Sequence, residues 1–327
     1  MQTPMGSGFT AASTTYDVID GVDLRGKTAI VTGGYSGLGK ETVRAFRSAG
    51  AEVVVPARDV ARATAELAEV DGVAVERMDL LDPASIDAFA DRFLASGRPL
   101  HILVNSAGIM ANPLTRDARG YESQFATNHL GHFQLTTRLL PALRNAGGAR
   151  VVSVSSRGHR YSDVDFDDPN FEHREYGPYP AYGQSKTANV LFAVELDARE
   201  RANGIRAFAV HPGSIITHLA RYSDRELLRQ GGFLDDNYEP IIDPARGLKT
   251  AEQGAATQVW CAVGPQLEGY GGVYCEDVDI ATVHTSDVPD AGMLAATPGA
   301  FGVLPYAIDR DNARRLWKLS EELLDRG

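Results

Sequence analysis

The sequence predicts an α/β fold in which a doubly wound, mostly parallel sheet of about seven strands is covered by helices on both faces. Short β-branched runs alternate with helical stretches, no linker divides the chain, and no unit of 20–50 residues repeats along it. A chain of 327 residues is long enough for two domains or for one large α/β domain. We predict a single domain over residues 21–327, preceded by a surface extension over residues 1–20 with a helical turn near 16–20.

The predicted elements follow one another at the spacing of β-α-β units, whose crossover connections produce parallel strands. The strands are predicted at 28–31, 52–55, 73–78, 100–104, 150–154, 205–210 and 272–274. The helices are predicted at 40–48, 59–69, 83–94, about 121–144, about 180–201, near 250–262 and at 309–325. Two stretches, at about 157–180 and about 214–248, interrupt the alternation. We interpret both as insertions that line a substrate site.

The charge and the cysteines exclude several classes of protein. With 43 Asp and Glu against 32 Lys and Arg, the net charge of −11 repels phosphate backbones, so we expect no nucleic acid partner. The two cysteines, Cys261 and Cys275, cannot form a disulfide framework and fit buried thiols in a reducing compartment. The first 20 residues lack the features of a signal peptide, and no apolar run reaches 18 residues. We therefore expect a cytoplasmic protein with no membrane partner.

A glycine-rich loop over residues 32–39 joins the first predicted strand to the first helix. Glycines at such a turn let the backbone approach a pyrophosphate, and the helix N-terminus offers unpaired N–H groups. The simpler explanation is a turn without a ligand, since the spacing is not that of the G-x-G-x-x-G motif. The loop matches a Walker A sequence as far as Lys40, but Glu41 stands where a Mg²⁺-binding Ser or Thr is required. A glutamate would repel triphosphate oxygens, so we reject a nucleoside triphosphatase.

The end of the second predicted strand indicates which dinucleotide would bind. NAD-binding proteins carry an acidic residue there for the ribose 2′-hydroxyl, whereas an arginine suits the 2′-phosphate of NADP. Here Ala57 stands at the strand end, Arg58 follows it, and we expect Asp59 to cap the next helix. Lys40 would add positive charge nearby. We favour NADP(H) and leave NAD(H) open, because Arg58 can also be read as a solvated surface charge.

A tyrosine and a lysine four residues apart, Tyr182 and Lys186, fall in a predicted helix and therefore on one face of it. A phenol has a pKa of about 10, and a fixed cation beside it favours the phenolate and moves that pKa toward working pH. Many surface helices contain such a pair, so the context matters. Ser156 lies at the end of a predicted strand, at the sheet edge where ligands bind. The chain contains no G-x-S-x-G, which excludes a hydrolase nucleophile elbow.

Taken in order, these motifs resemble those of the short-chain dehydrogenase/reductase family, which has a Rossmann-type fold. Residues 32–39 match its T-G-x-x-x-G-x-G cofactor loop, and residues 105–108 match its N-N-A-G segment with Ser106 at the second Asn. Asn128 matches the catalytic asparagine, and residues 211–217 match the P-G segment near the nicotinamide. The set covers about residues 25–280 and is specific as a whole, although each motif alone is not.

Within the family the chain is most similar to the retinol dehydrogenase and WW-domain oxidoreductase branch. The segments that carry this likeness are residues 23–27, 57–59 and 272–277. Two residues depart from the pattern. Tyr35 is bulky where such loops have a small or polar residue, and Ser106 replaces an asparagine.

The resemblance implies hydride transfer between a nicotinamide and a carbonyl or alcohol carbon, with four catalytic residues. Ser156 would orient the carbonyl oxygen, and Tyr182 would donate the proton as general acid. Lys186 would lower the pKa of Tyr182 and hold the ribose hydroxyls. Asn128 would hold a water that links Lys186 to solvent. No metal is required by this chemistry.

The resemblance also implies a set of cofactor-binding residues. It comprises Gly33, Tyr35, Ser36, Gly37, Leu38, Arg58, Asp79, Leu80, Asn105, Ala107, Gly108, Tyr182, Lys186, Pro212, Gly213, Ile215 and Thr217. Thr217 could equally be a helix N-cap. His129 and His132 lack the spacing of a zinc site, so we expect no metal and place them beside the cofactor site or on backbone groups.

Apolar and aromatic residues of the two insertions and of the segment after Gly108 suggest a hydrophobic ketone, aldehyde or secondary alcohol as substrate. The candidates are Met110, His159, Tyr161, Tyr176, Tyr179, Tyr222, Phe233 and Tyr238. Half of them could instead only pack the loops onto the domain. Two other functions stay open, a non-catalytic NADP-binding sensor or scaffold and a non-redox enzyme on the same fold. The resemblance further implies a homodimer or homotetramer formed through the long helices at 121–144 and 180–201.

Overall fold

The structure is a computed structural model and describes residues 1–284 and 302–325. A central eight-stranded sheet has the order β3-β2-β1-β4-β5-β6-β7-β8, and its strands are parallel except for β8. The strands are β1 (Thr28–Val31), β2 (Glu52–Ala57), β3 (Val73–Arg77), β4 (Ile102–Asn105), β5 (Ala149–Val154), β6 (Ile205–His211), β7 (Val273–Glu276) and β8 (Asp279–Ile280). The doubly wound α/β fold predicted from the sequence is therefore confirmed.

Helices cover both faces of this sheet. The α-helices of the described residues are α1 (Thr15–Ile19), α2 (Gly37–Ser48), α3 (Val60–Glu66), α4 (Pro83–Ala95), α5 (Ser123–Phe125), α6 (Gly131–Asn145), α7 (Pro178–Glu200), α8 (Arg225–Gln230), α9 (Ala251–Val263) and α10 (Arg310–Asp325). A π-helical turn (Ala126–Leu130) joins α5 to α6, so the helix predicted over 121–144 is continuous but locally widened. Such π-turns often occur at functional sites.

The eighth strand, β8, lies at the sheet edge and was not predicted. It pairs antiparallel with β7 through a tight turn in which Asp277 and Val278 have φ of +50° and +61°. Turns with two left-handed residues normally select Asn or Gly, and a valine there is unusual. The hairpin therefore carries no recognisable turn motif in the sequence.

Residues 1–20 are bonded to this same edge of the sheet. The Gln2 side chain donates to the carbonyl oxygens of Tyr274 and Ala281, each at 2.7 Å. The Asp279 carboxylate accepts the amides of residues 5–7, at 3.0–3.4 Å. Val18 and Ile19 of α1 are buried in the core on the α2 and α9 face. The segment that the sequence suggested as a surface extension thus shares the core of the domain.

The C-terminal helix α10 covers the outer face of the two long helices. The ring centroids of Trp317 lie 4.8 Å from Phe133 and 6.0 Å from Phe192, and the Tyr121 hydroxyl donates to the Leu323 carbonyl. An amphipathic helix of the same chain therefore packs against part of these two helices. The self-association through them that the resemblance implies stays a prediction.

Candidate active site

A cleft of about 700 Å³ lies along the carboxyl ends of the parallel strands. Segments that follow β1, β2, β3, β4, β5 and β6 contribute to its wall. The neighbours of β1 are β2 on one side and β4 on the other, so the chain changes direction at this point of the sheet. Ligands of open α/β sheets bind at such a switch point.

The glycine loop forms the wall of the cleft between β1 and α2. Helix α2 begins at Gly37, three residues earlier than predicted, and the side chain of its N-cap, Ser36, forms no capping hydrogen bond. Gly37 has φ +50°, and a Cβ on it would lie 3.5 Å from Thr217 Cγ2 across the cleft. A Cβ on Gly33, whose φ is +66°, would lie 3.0 Å from Ala107 Cα. Glycine is therefore required where the loop meets the opposite wall, and the uncapped helix start suits an anion.

Two arginines, Arg58 and Arg62, line the cleft at the end of β2 and are exposed. Neither guanidinium forms an ion pair or hydrogen bond with the described residues. Asp59 accepts the Arg62 amide at 3.0 Å and caps α3, as predicted. Lys40 does not add charge to the cleft, contrary to expectation, because its ammonium is paired with Glu69 at 2.7 Å.

The serine and the tyrosine of the predicted catalytic set are in contact. Ser156 ends the β5 segment and caps a short 3₁₀ turn, and its Oγ accepts the Gly158 amide at 2.9 Å. Its side chain also lies beside the Tyr182 phenol on α7, close enough to lower the pKa of that phenol. A Cβ on Gly158 would lie 2.7 Å from Tyr182 Cε1. Gly158 is thus a site residue that the sequence analysis missed, although a glycine two positions after the serine was visible.

Lys186 lies beside Tyr182, with its Nζ 5.6 Å from the centroid of the phenol ring. This Nζ donates to the Val154 carbonyl at 3.0 Å. Burial raises the pKa of Tyr182 to about 12 and lowers the pKa of Lys186 to about 8. Desolvation is the largest cause of both shifts, and Lys186 is not among the groups that shift the pKa of Tyr182. The predicted effect of Lys186 on the phenol stays a prediction.

Two predicted residues lie outside the lining of the cleft. Asn128, in the π-helical turn, is fully buried behind Gly108, and a Cβ on Gly108 would lie 3.1 Å from Asn128 Oδ1 and 3.6 Å from Lys186 Nζ. Asn128 is therefore close to Lys186, the predicted catalytic lysine. Asn105 is a correction, because its side chain points away from the cleft and donates to Thr136 Oγ1 at 3.1 Å.

The other predicted cofactor residues line the cleft. They are Gly33, Tyr35, Ser36, Gly37, Leu38, Arg58, Asp79, Leu80, Ala107, Gly108, Tyr182, Lys186, Pro212, Gly213, Ile215 and Thr217. Thr217 also accepts the Leu219 amide at 3.3 Å and caps the turn at 218–222, which confirms its interpretation as an N-cap, while its contact with a cofactor stays a prediction.

The substrate end of the cleft is formed by the two insertions. Of the eight candidates, Met110, Tyr161, Tyr179, Tyr222 and Phe233 line it. His159 and Tyr176 are held elsewhere by hydrogen bonds, and Tyr238 lines a neighbouring cavity of about 450 Å³. Further lining residues without any periodic pattern were missed, among them Arg157, Ile216, Leu219, Ala220 and Leu228.

In residues 1–284 and 302–325, no group of three or more His, Cys, Asp or Glu side chains is arranged to hold a metal ion. No helix there combines the length and the apolar character needed to cross a membrane.

The glycine loop between β1 and α2, together with Ser156, Tyr182 and Lys186 in the same cleft, defines a dinucleotide-dependent oxidoreductase with a Rossmann-type fold. The short chain dehydrogenase family model matches residues 27–227, and the chain belongs to this family. Members act as oxidoreductases with a nicotinamide cofactor.

Relatives match the chain over nearly its whole length. A probable oxidoreductase from Streptomyces lividans is 46% identical, covering 94% of this chain and 100% of that protein. Retinol dehydrogenase 12 from Homo sapiens is 38% identical, covering 93% of this chain and 88% of that protein. A solved structure of an uncharacterized protein from Mycobacterium paratuberculosis has a TM-score of 0.71 and 33% identity, covering 96% of this chain and 98% of that one.

Proposed function

We propose that this protein is an NADP(H)-dependent oxidoreductase that interconverts a hydrophobic ketone or aldehyde and its alcohol, with Tyr182 as general acid and base. The observation that carries the proposal is the contact between Ser156 and Tyr182 at the wall of the cleft, with Lys186 one helical turn further on. A binding protein without catalytic activity has no need of a phenol and an ammonium beside each other in a buried site.

The cleft fits a nicotinamide dinucleotide. Gly33 and Gly37 have left-handed backbones at the places where a Cβ would meet the opposite wall, and the start of α2 is uncapped. When bound, the nicotinamide supplies or accepts the hydride. Gly37 and Leu38 would hold its pyrophosphate, Asp79 and Leu80 its adenine end, and Ile215 and Thr217 its carboxamide end.

The side chains of this site supply orientation and a proton. Ser156 Oγ accepts the Gly158 amide, which leaves its hydroxyl hydrogen free to be donated to the Tyr182 phenol or to a substrate oxygen in the cleft. In the direction of reduction, Tyr182 gives its phenolic proton to the substrate oxygen while the carbonyl carbon receives the hydride. Because burial raises the pKa of Tyr182 to about 12, the phenol is protonated and ready to donate near pH 7. The Lys186 ammonium stabilises the phenolate that is left.

The preference for NADP(H) is supported by the charges at the end of β2. Arg58 and Arg62 are exposed at the cleft, and Ala57 provides no carboxylate for a ribose hydroxyl. A guanidinium pairs strongly with a phosphate and gains little from a hydroxyl. The 2′-phosphate of NADP(H) would therefore face the guanidinium groups of Arg58 and Arg62.

A hydrophobic substrate is supported by the side chains around Tyr182. Tyr161 and Tyr179 form an edge-to-face pair with ring centroids 6.5 Å apart, and Phe233 lies in the same wall. Apolar side chains with a few polar groups at the reacting end are typical of small-molecule pockets. We further propose a cytoplasmic location, which the free, buried thiols of Cys261 and Cys275 support.

The experiment is NADPH consumption by the purified protein with a panel of hydrophobic ketones and aldehydes. NADH is run in parallel, and cofactor binding is read by fluorescence in the same samples. Consumption with at least one carbonyl and a preference for NADPH supports the proposal. Tight NADPH binding without consumption across the panel favours a sensor, and the absence of binding contradicts the proposal.

A further inference from the structure

His132, in the first turn of α6, connects two walls of the site from behind. It is 2% exposed and does not line the cleft. Its Nε2 lies 2.9 Å from Thr32 Oγ1, and its Nδ1 lies 3.0 Å from the carbonyl oxygen of Asn128. The imidazole thus joins the start of the glycine loop to the π-helical turn.

Counting hydrogens gives the direction of these bonds. Thr32 Oγ1 accepts the amides of Ser106 and Ala107, at 2.9 and 3.0 Å. Both lone pairs of the hydroxyl are used, so its hydrogen has two acceptors to choose from, His132 Nε2 at 2.9 Å and the Val104 carbonyl at 3.4 Å. The Asn128 carbonyl can only accept from Nδ1, so Nε2 of a neutral ring carries the lone pair and takes the shorter of these two contacts. His132 Nδ1 then carries the ring hydrogen and donates to the Asn128 carbonyl. Burial lowers the pKa of His132 to about 4, so the ring is neutral near pH 7 and one tautomer satisfies both contacts.

The side chain of Asn128 binds the backbone of Ile109 with two hydrogen bonds. Its Oδ1 accepts the Ile109 amide at 2.9 Å, and its Nδ2 donates to the Ile109 carbonyl at 3.0 Å. Segment 106–109 is therefore held at its start by Thr32 and at its end by Asn128, while His132 joins those two residues to each other. The result is a closed ring of hydrogen bonds around the segment.

The segment inside this ring stands between the cofactor cleft and the catalytic lysine. Its residues line the cleft, and a Cβ on Gly108 would lie 3.6 Å from Lys186 Nζ. A shift of the segment would move the cofactor wall relative to the lysine. Displacements of about 1 Å can cost an enzyme about 100-fold in rate.

We propose that His132 is a positioning residue, which fixes the separation of Thr32 and Asn128 so that segment 106–109 presents one geometry to the cofactor and to Lys186. The proposal rests on the proposed function above. His132 touches neither substrate nor cofactor, and it acts only through its two hydrogen-bond partners.

His129, in the π-helical turn three residues before His132, is a matched control. It is 1% exposed, and its Nε2 lies 2.8 Å from Ser320 Oγ on α10. It therefore joins the turn to the C-terminal helix and not to the cleft. His129 and His132 have equal burial and the same chemistry, but they have different partners.

The experiment compares His132→Phe, His132→Asn, Thr32→Val and the control His129→Phe in the full chain. We measure Tm, the NADPH dissociation constant by fluorescence, and kcat and KM with a carbonyl that the wild type reduces. His132→Phe and Thr32→Val should each lower kcat/KM by about 10-fold to 100-fold. The double variant Thr32→Val/His132→Phe should lose no more kcat/KM than the worse of the two single variants, because either change breaks the same ring of hydrogen bonds. His132→Asn retains an N–H near Nδ1 and should recover part of the loss.

The control separates positioning from folding. His129→Phe should lower Tm as much as His132→Phe and leave kcat/KM within about 2-fold of the wild type. If activity follows Tm across all variants, or if the losses of Thr32→Val and His132→Phe multiply, the inference is overturned. If His132→Phe does not fold, Thr32→Val and His132→Asn carry the same comparison.

Failure of the proposed function would give a different pattern. The wild type would then reduce no carbonyl, and the NADPH dissociation constant becomes the readout for the ring. His132→Phe should still weaken NADPH binding several-fold relative to His129→Phe. Equal dissociation constants for these two variants would overturn the inference in that case.

Discussion

On the cofactor side of the cleft the wall is made of glycines, backbone amides and buried hydrogen bonds at the ends of sheet strands. On the substrate side it is made of loop side chains from 157–180 and 214–248, several of them exposed. The cofactor side, with the glycines at 33 and 37, tolerates few residue types at each position. The substrate side requires only a suitable shape and apolar character. The chemistry of the protein is therefore fixed by one side and its specificity by the other.

Tyr182 lies at the boundary between the two sides, and its substitution should have the largest effect on activity. Tyr182→Phe removes the proton donor and leaves the cofactor wall intact, so kcat should fall by about 100-fold to 10,000-fold with little change in NADPH affinity. Steady-state kinetics and cofactor fluorescence measure both. Tyr179→Phe, at another tyrosine of the lining, serves as the control and should keep most of the activity. Substantial turnover by Tyr182→Phe would remove Tyr182 from the acid–base role.

Arg58 tests the cofactor side alone. Arg58→Ala should weaken NADPH binding by about 10-fold to 100-fold and NADH binding much less, because only NADPH carries the 2′-phosphate. Dissociation constants for both dinucleotides decide this. Lys40→Ala is the control, since that ammonium is paired with Glu69 and should leave the preference unchanged. Equal losses for NADPH and NADH would place the phosphate elsewhere.

Tyr222 tests the substrate side alone. It is 52% exposed, so Tyr222→Ala should leave stability unchanged while raising KM for a hydrophobic carbonyl by about 10-fold. The NADPH dissociation constant should stay the same. Tyr270, 38% exposed and away from the lining, provides the matched control. If Tyr222→Ala and Tyr270→Ala have the same KM as the wild type, the aromatic loop does not contact the substrate.

The smallest predicted effect concerns the stability of the fold and comes from Glu276, at the end of β7. Burial raises its pKa to about 7, and the charge of Asp277 adds to this, while Arg160 and Lys249 act in the opposite direction. The unfolded chain ionises this carboxyl near pH 4.5, so its stabilising contribution is full below that pH and is lost as pH rises through about 7.

Glu276→Gln removes this dependence. The variant should match the wild type near pH 4.5 and exceed its free energy of unfolding by roughly 1–3 kcal/mol at pH 8. Urea denaturation at a series of pH values measures the difference. A constant gap between the two proteins from pH 4.5 to pH 8 would show that the carboxyl does not titrate in this range.

The sequence was sufficient for the fold and for most of the cofactor side, and the exceptions have physical causes. Ser156, Tyr182 and the glycines stand at strand ends or on one helix face, where spacing determines position. Asn105 was misplaced because its side chain turns toward α6 and Thr136, and a strand-end residue can face either way. The partners of His132 are 100 residues away in the sequence or belong to the backbone, so no spacing could indicate them.

The loops and termini could be predicted least. Five of the eight substrate-site candidates line the cleft, because apolar character alone does not distinguish a lining side chain from a packing one. The helical spacing of α10 favoured packing on the chain's own core over a partner surface, as observed, but it could not indicate which helices α10 would contact. Both depend on long-range packing that a local pattern does not contain.

The most direct test of the central claim follows the hydride itself. NADPH labelled with deuterium at C4 of the nicotinamide is incubated with the wild type and a carbonyl from the panel, and the alcohol is analysed by mass spectrometry and NMR. We expect deuterium on the carbinol carbon from one of the two C4 positions, at a rate that Tyr182→Phe lowers by at least about 100-fold. An alcohol without the label, or one formed at the same rate by Tyr182→Phe, would contradict the account.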